Sequence, residues 1–192
     1  MPPPIPHTDE ELVHLSLTNK EEFGVLVERY APKLRNYIGR LGSLQPEDTE
    51  DVLQETFVRV YQNLNDFDDT LKFSSWIYRI AHNQTMTFFR KRRARPEGHA
   101  ALLGDTELAA LASESDVFTE LAAVHDAHKL QEVLRKLPRD QYEILILRFF
   151  EHKSYDEISD ILSLAPGTVA ARINRAKAKI RQIMNTKGYT YG

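Results

Sequence analysis

The chain has 192 residues, a formal net charge of −3 and no cysteine. That length is read as two small domains, and the missing thiols exclude disulfides, thiolate metal sites and cysteine nucleophiles while fitting a reducing cytoplasm. No apolar run approaches a membrane span, Met1 to His7 lacks the features of a signal peptide, and a near-neutral mean charge means that any nucleic-acid partner must be argued from where the charges sit.

Pro2, Pro3, Pro4 and Pro6 exclude a helix from the first residues, which read as a disordered tail. Asp9 to Leu17 can make one short helix, to which no function attaches. Asn19 followed by Glu22 has the spacing of a capping box, and Phe23, Leu26, Val27, Tyr30, Leu34, Tyr37, Ile38 and Leu41 then trace the apolar stripe of a core helix with a bend near Pro32. Gly39 and Gly42 close this helix and belong to no phosphate-cradling motif. A third helix begins at Pro46 with an acidic first turn, Glu47, Asp48, Glu50 and Asp51, suited to the positive end of its dipole. With Val52, Thr56 or Phe57, Val60 and Leu64 facing inward, Asp51, Gln54 and Glu55 face partly outward beside Arg59. Taken alone, that is an ordinary solvated face.

Asn65 to Lys72 reads as a loop and Phe73 to Phe89 as a fourth helix burying Trp76, Ile77, Ile80, Ala81 and Phe88. Asp66, Asp68 and Asp69 suit caps and turns, because the order of a calcium loop is missing and His82 has no partner at ligand spacing. Arg90, Lys91, Arg92, Arg93 and Arg95 follow, cations that complement the helix dipole and can equally grip phosphates. Tyr78, Phe88 and Phe89 nearby could stack on exposed bases or fill the core.

Glu97 to His128 holds seven acids and no Lys or Arg, so its first part reads as an acidic linker that repels DNA. Ser115 caps a further helix carrying Phe118, Leu121, Val124, Leu130, Val133, Leu134 and Leu137; His125 and His128 lie one turn apart, but no third zinc ligand is near. Pro138 opens a helix over Arg139 to Phe150 whose Tyr142, Leu145, Ile146, Phe149 and Phe150 build core.

The last segment carries the sharpest signal. Ser154 and Glu157 form a capping box, Ile158, Ile161 and Leu162 share a face, Ser163 to Ala165 make a tight connection, and Pro166 suits the first turn of a second helix. Along that helix Val169, Ile173, Ala176, Ile180 and Ile183 recur at helical spacing. Thr168, Arg172, Arg175 and Lys179 line an opposite stripe, with Lys177 and Arg181 beside it. Asp156, Glu157 and Asp160 keep the acids on the first helix. Two helices joined this way make a helix-turn-helix, whose second member can lie in a major groove. Arg can fork to guanine, Asn174 can pair with adenine and Lys offers charge to the backbone. The bland alternative is a solvated hairpin whose cations serve solubility.

Three runs match a known family. D-V-L-Q-E-T-F-V-R-V-Y at Asp51 to Tyr61, F-S-S-W-I-Y-R-I-A-H-N at Phe73 to Asn83 and G-T-V-A-A-R-I-N-R-A-K at Gly167 to Lys177 stand in the order found in bacterial RNA polymerase sigma factors. The chain resembles the short extracytoplasmic-function (ECF) group of the sigma-70 family, and the resemblance covers all but the first twenty residues or so and the linker. It implies an all-α fold of two helical domains: a tail and short helix at 1–18, region 2 at 19–96, the acidic linker at 97–114, and region 4 at 115–192 with its helix-turn-helix at 154–184.

The resemblance also implies roles. Asp51, Gln54 and Glu55 would meet basic side chains of core RNA polymerase, which reverses the solvated-face reading. The Asp66 to Phe73 loop, with Lys72, Phe73 and Asn83, would handle the single-stranded minus-ten element with one base swung out, and Arg90, Lys91, Arg92 and Arg93 would hold the duplex upstream. Thr168, Arg172, Asn174, Arg175 and Lys179 would read the minus-thirty-five element of promoter DNA. The linker would thread the polymerase channel later used by RNA. Family members usually carry a basic residue and a serine where Ala170 and Ala171 stand, and Ala165 is a poor cap, so a weaker or altered minus-thirty-five reading is expected. No catalytic residue, cofactor or metal is expected, and an anti-sigma factor is implied as a further partner. A helix-turn-helix regulator acting without polymerase, or a decoy that titrates an inhibitor, are the rival readings.

Overall fold

The computed structural model describes residues 7–42, 44–94, 133–134 and 136–186. Every regular element among them is helical, as the sequence predicts. The chain divides into two compact units; the first holds most of the elements up to Arg93, and the second those from Arg139 onward.

In the first unit α1 spans Asp9–Ser16 and starts with a capping box the sequence reading passed over. The Glu11 N–H donates to Thr8 Oγ1 at 3.1 Å and the Thr8 N–H to Glu11 Oε2 at 2.9 Å, so two otherwise unpaired donors are satisfied reciprocally. Helix α2 spans Lys20–Gly42 and runs through both Pro32 and Gly39. Asn19 Oδ1 accepts from the Glu21 N–H at 3.1 Å, one residue before the predicted box position. Leu26, Tyr30, Leu34, Tyr37 and Ile38 are buried as the stripe requires. Helix α3, Pro46–Gln62, takes Pro46 in its first turn and buries Thr49, Val52, Leu53, Thr56 and Val60. The choice between Thr56 and Phe57 goes to the threonine, whose hydroxyl donates to the Val52 carbonyl at 2.7 Å and so needs no solvent.

Helix α4 spans Phe73–Arg93, past the predicted end at Phe89. Its buried row is Phe73, Ile77, Ala81, Thr85 and Phe89, a strict four-residue step, with Ser75 and Tyr78 beside it. Trp76, Ile80 and Phe88, expected in the core, are half-buried. The small polar Ser75 and Thr85 hid the true phase of the stripe. Thr85 is buried at no cost to its hydroxyl, which donates to the Ala81 carbonyl at 2.8 Å.

In the second unit Val133, Leu134 and Leu137 are all buried as expected. The linker, the helix from Ser115, and His125 with His128 lie outside the described residues. Helix α5, Arg139–Leu145, continues into one π-helical turn over Ile146–Phe150. Ile144, Leu145, Ile146 and Leu147 are buried in succession across the junction, while Tyr142, Phe149 and Phe150 are only half-buried, against expectation. His152 then takes a left-handed φ of 51° and turns the chain toward α6.

Helices α6, Tyr155–Leu162, and α7, Pro166–Thr186, form the predicted pair. Ser154 and Glu157 complete their capping box at 3.1 and 2.9 Å. The turn is made by Ser163 in the left-handed region, φ 52° and ψ 48°. Ser159 Oγ donates to the Leu164 carbonyl and the Leu164 N–H to the Ser159 carbonyl, so one side-chain bond and one backbone bond tie the connection to α6. The Ala165 carbonyl accepts from the Thr168 N–H at 2.8 Å and the Val169 N–H at 3.1 Å, which starts α7 without a capping side chain.

Candidate functional site

Three surfaces carry the residues singled out in the sequence. On α7, Val169, Ile173, Ala176, Ile180, Ile183 and Met184 are buried against the second unit's core. The opposite side exposes Asn174, Arg175 and Lys179, with Ala171 and Ala178 completing the face. Thr168 and Arg172 are half-buried at its margin. Arg172 Nε lies 3.7 Å from Asp140 Oδ2 on α5, so this guanidinium is directed by a partner the sequence reading did not identify. Lys179 Nζ donates to Gln182 at 3.1 Å. The exposed face offers a fork-shaped donor, an amide with both donor and acceptor, and an ammonium, a set able to address base edges and phosphates together.

The second surface is the loop between α3 and α4 with the far end of α4. One 3₁₀ turn, Leu64–Asp66, opens the loop. Asp68 Oδ1 then accepts from the Thr70 hydroxyl at 2.7 Å and the Thr70 N–H at 3.0 Å, and these bonds hold its carboxyl below the usual aspartate range. Asp68 thus acts as a turn former, as expected. Phe67 packs edge-on to Phe73 at 5.6 Å and lies 5.4 Å from Trp76. Lys72 and Asn83 are exposed. Phe73 is not: its ring is fully buried, so its side chain supports the loop from beneath and cannot meet a base directly. Tyr78 and Phe89 are likewise core, which leaves only the half-buried Phe88 of the three rings considered for stacking.

At the end of α4, Arg90, Lys91 and Arg93 are exposed, whereas Arg92 is half-buried with Nη1 3.0 Å from Asp48 Oδ2 on α3. Arg90 Nη2 donates to Thr87 at 2.9 Å. Asn83 and Arg90 stand two helical turns apart and share one face.

The third surface is the outward side of α3, where Asp51, Gln54 and Glu55 are exposed. Glu55 pairs with Arg59 at 3.0 Å along the helix, an exposed contact of small energetic weight that another cation can replace. Val58 is 48% exposed on the same stripe. It follows Gln54 at the spacing that links neighbours on a helix face, a signal present in the sequence but passed over because the residue is apolar. Asp48 and Asp140 had no such signal, since each pairs with a cation far away in the chain.

The family models for sigma-70 region 2 and sigma-70 region 4 match residues 26–95 and 127–180. ECF RNA polymerase sigma factor SigW of Bacillus subtilis is 31% identical over 85% of this chain and 89% of its own length. RNA polymerase sigma factor CnrH of Cupriavidus metallidurans is 32% identical over 87% of this chain and 88% of its own. Among solved structures, CnrH in complex with the cytosolic domain of CnrY superposes with a TM-score of 0.65 at 26% identity, covering 91% of this chain and 96% of that one. The sigma factor RpoE of Bartonella quintana, solved with the anti-sigma factor NepR, shares the fold with a TM-score of 0.62 at 20% identity over 86% of this chain and 98% of that one. The chain belongs to the sigma-70 family of RNA polymerase sigma factors, in its ECF group. It is therefore a transcription initiation factor, and the reading as a regulator independent of polymerase gives way.

Proposed function

We propose that this chain joins core RNA polymerase through the Asp51, Gln54 and Glu55 face and brings it to promoters whose two elements are met by its two basic surfaces. The observation that carries this is the pairing, in one chain, of an exposed acidic face on α3 with the exposed Asn174, Arg175 and Lys179 face of α7. Acceptors on α3 suit cations of a protein partner; donors on α7 suit a duplex. Lys72 and Asn83 flank the loop that would hold the melted minus-ten strand, and Arg90, Lys91 and Arg93 would grip phosphates upstream. Phe73 contributes from within the core. The domain limits at 19–96, 97–114 and 115–192 remain part of this proposal, as does passage of the linker through the polymerase.

No nucleophile, base or hydrolysed cofactor enters the scheme: bases captured out of the duplex offset lost stacking, and the chemistry is that of the polymerase. The work is done in the cytoplasm; no described helix is long and apolar enough to cross a membrane. An anti-sigma factor is the expected antagonist. The CnrH complex supports a protein partner for this fold, since CnrH was solved with the cytosolic domain of CnrY bound. Reconstituted transcription tests the whole: the protein with core polymerase on a library of promoter fragments should give starts at a defined subset, and starts no different from core alone would refute it.

A further inference from the structure

Helix α4 has an unusual beginning. Its N-cap residue is Lys72, which supplies no capping bond, although the first N–H groups of a helix need acceptors and a cation there opposes the dipole. The acceptor arrives from another helix: Glu10 Oε1 of α1 takes the Phe73 N–H at 3.1 Å. Leu12 and Val13 bury α1 in the first unit, each 1% exposed. Asp9 accepts from both Arg29 and the Tyr30 hydroxyl of α2. Tyr30 stands edge-on to Phe73 at 5.5 Å, and Phe73 in turn to Phe67 at 5.6 Å. On the outside His14 Nε2 lies 3.6 Å from Asp69 Oδ2. The loop between α3 and α4 is therefore held by α1 at its end, at its middle and through its aromatic support.

We propose that α1 fixes the geometry of the minus-ten-reading loop, and that Glu10 is a positioning residue for that reading. Because Glu10 caps α4 from a distance, the local cap position can carry Lys72, a cation placed where a strand would pass, instead of the Ser, Thr or Asp that a self-capped helix would need there. Glu10 itself touches no DNA in this scheme. The inference rests on the reading of this loop as the minus-ten reader.

The test uses the full chain with core polymerase and two promoter sets, one with single substitutions in the minus-ten element and one with substitutions in the minus-thirty-five element. Glu10→Ala should reduce discrimination among minus-ten variants about three- to tenfold, the size expected for loss of one cap bond. Discrimination among minus-thirty-five variants and affinity for core should stay within about twofold, because those surfaces share no partner with Glu10. Glu10→Gln, which keeps the acceptor oxygen, should restore wild-type discrimination. Glu10→Asp, which keeps the charge and the folded unit but draws the oxygen back by one methylene, should behave like Ala.

Equal loss at every promoter, failure of Gln to rescue, or full discrimination by Asp would each overturn the role of Glu10. A wild-type protein indifferent to minus-ten substitutions would instead overturn the minus-ten reading, and this inference with it.

Discussion

Arg172 and Arg175 sit on the same helix, yet their surroundings separate them. Arg175 is exposed, while Arg172 is half-buried and faces the Asp140 carboxylate. A guanidinium must present its fork to a base edge to discriminate, and one good bidentate contact is worth about 1–3 kcal/mol. Arg175→Ala should therefore lower use of promoters that depend on the upstream element roughly ten- to a hundredfold and spare those that do not; equal loss at all promoters in a transcription assay would contradict a reading role. Arg172→Ala should cost less, because part of its charge is already answered by Asp140. Acid sensitivity belongs to this scale too. Arg35 donates to Glu50 with Nε and, at 3.2 Å, with Nη2, and these bonds hold Glu50 below its ordinary value of 4.5. A carboxylate whose folded value is lowered stabilises fully above its unfolded value and loses that contribution as pH falls through the folded one. Resistance to thermal unfolding should thus weaken as pH drops below 4.5, and Glu50→Gln should flatten the dependence in that window.

Helix ends were the most legible elements. The Ser154 box, the placement of Pro166 and the spacing of buried Ile173 and Ile180 follow from local chemistry and are all present. Ser154→Ala should cost about 1 kcal/mol, read as a lower unfolding temperature of the second unit, and should weaken minus-thirty-five binding in step. Other features depend on what lies across the fold. The π-turn at Ile146–Phe150 has no local signature, because nothing in I-L-R-F-F distinguishes a widened turn from an α-helical one. The buried stripe of α4 was misphased because Ser75 and Thr85 are polar by composition yet serve as core. Phe73 looked like a base contact and is the floor of its loop instead. Most instructive is α1: its sequence suggested a short helix without a role, and only tertiary pairing brings Glu10 to the start of α4. Contacts between distant segments are invisible to spacing rules, so such partners stay hidden until the chain is folded.

For the whole molecule, a formal charge of −3 conceals an acidic face on α3 and cationic faces on α4 and α7. Cations that neutralise phosphates release counterions, so binding of the polymerase complex to promoter DNA should fall steeply as salt rises, and Lys179→Ala should reduce the slope of log affinity against log salt by about one. Joining polymerase is the act on which promoter choice depends. Its most direct measurement is titration of the purified protein onto core polymerase at low salt with no antagonist present. A saturable one-to-one complex is expected, weakened at least about tenfold by Gln54→Ala with Glu55→Ala while relative promoter preference is unchanged. Absence of any complex, or a double variant that binds core as tightly as the wild type, would contradict the assignment of α3 as the docking face.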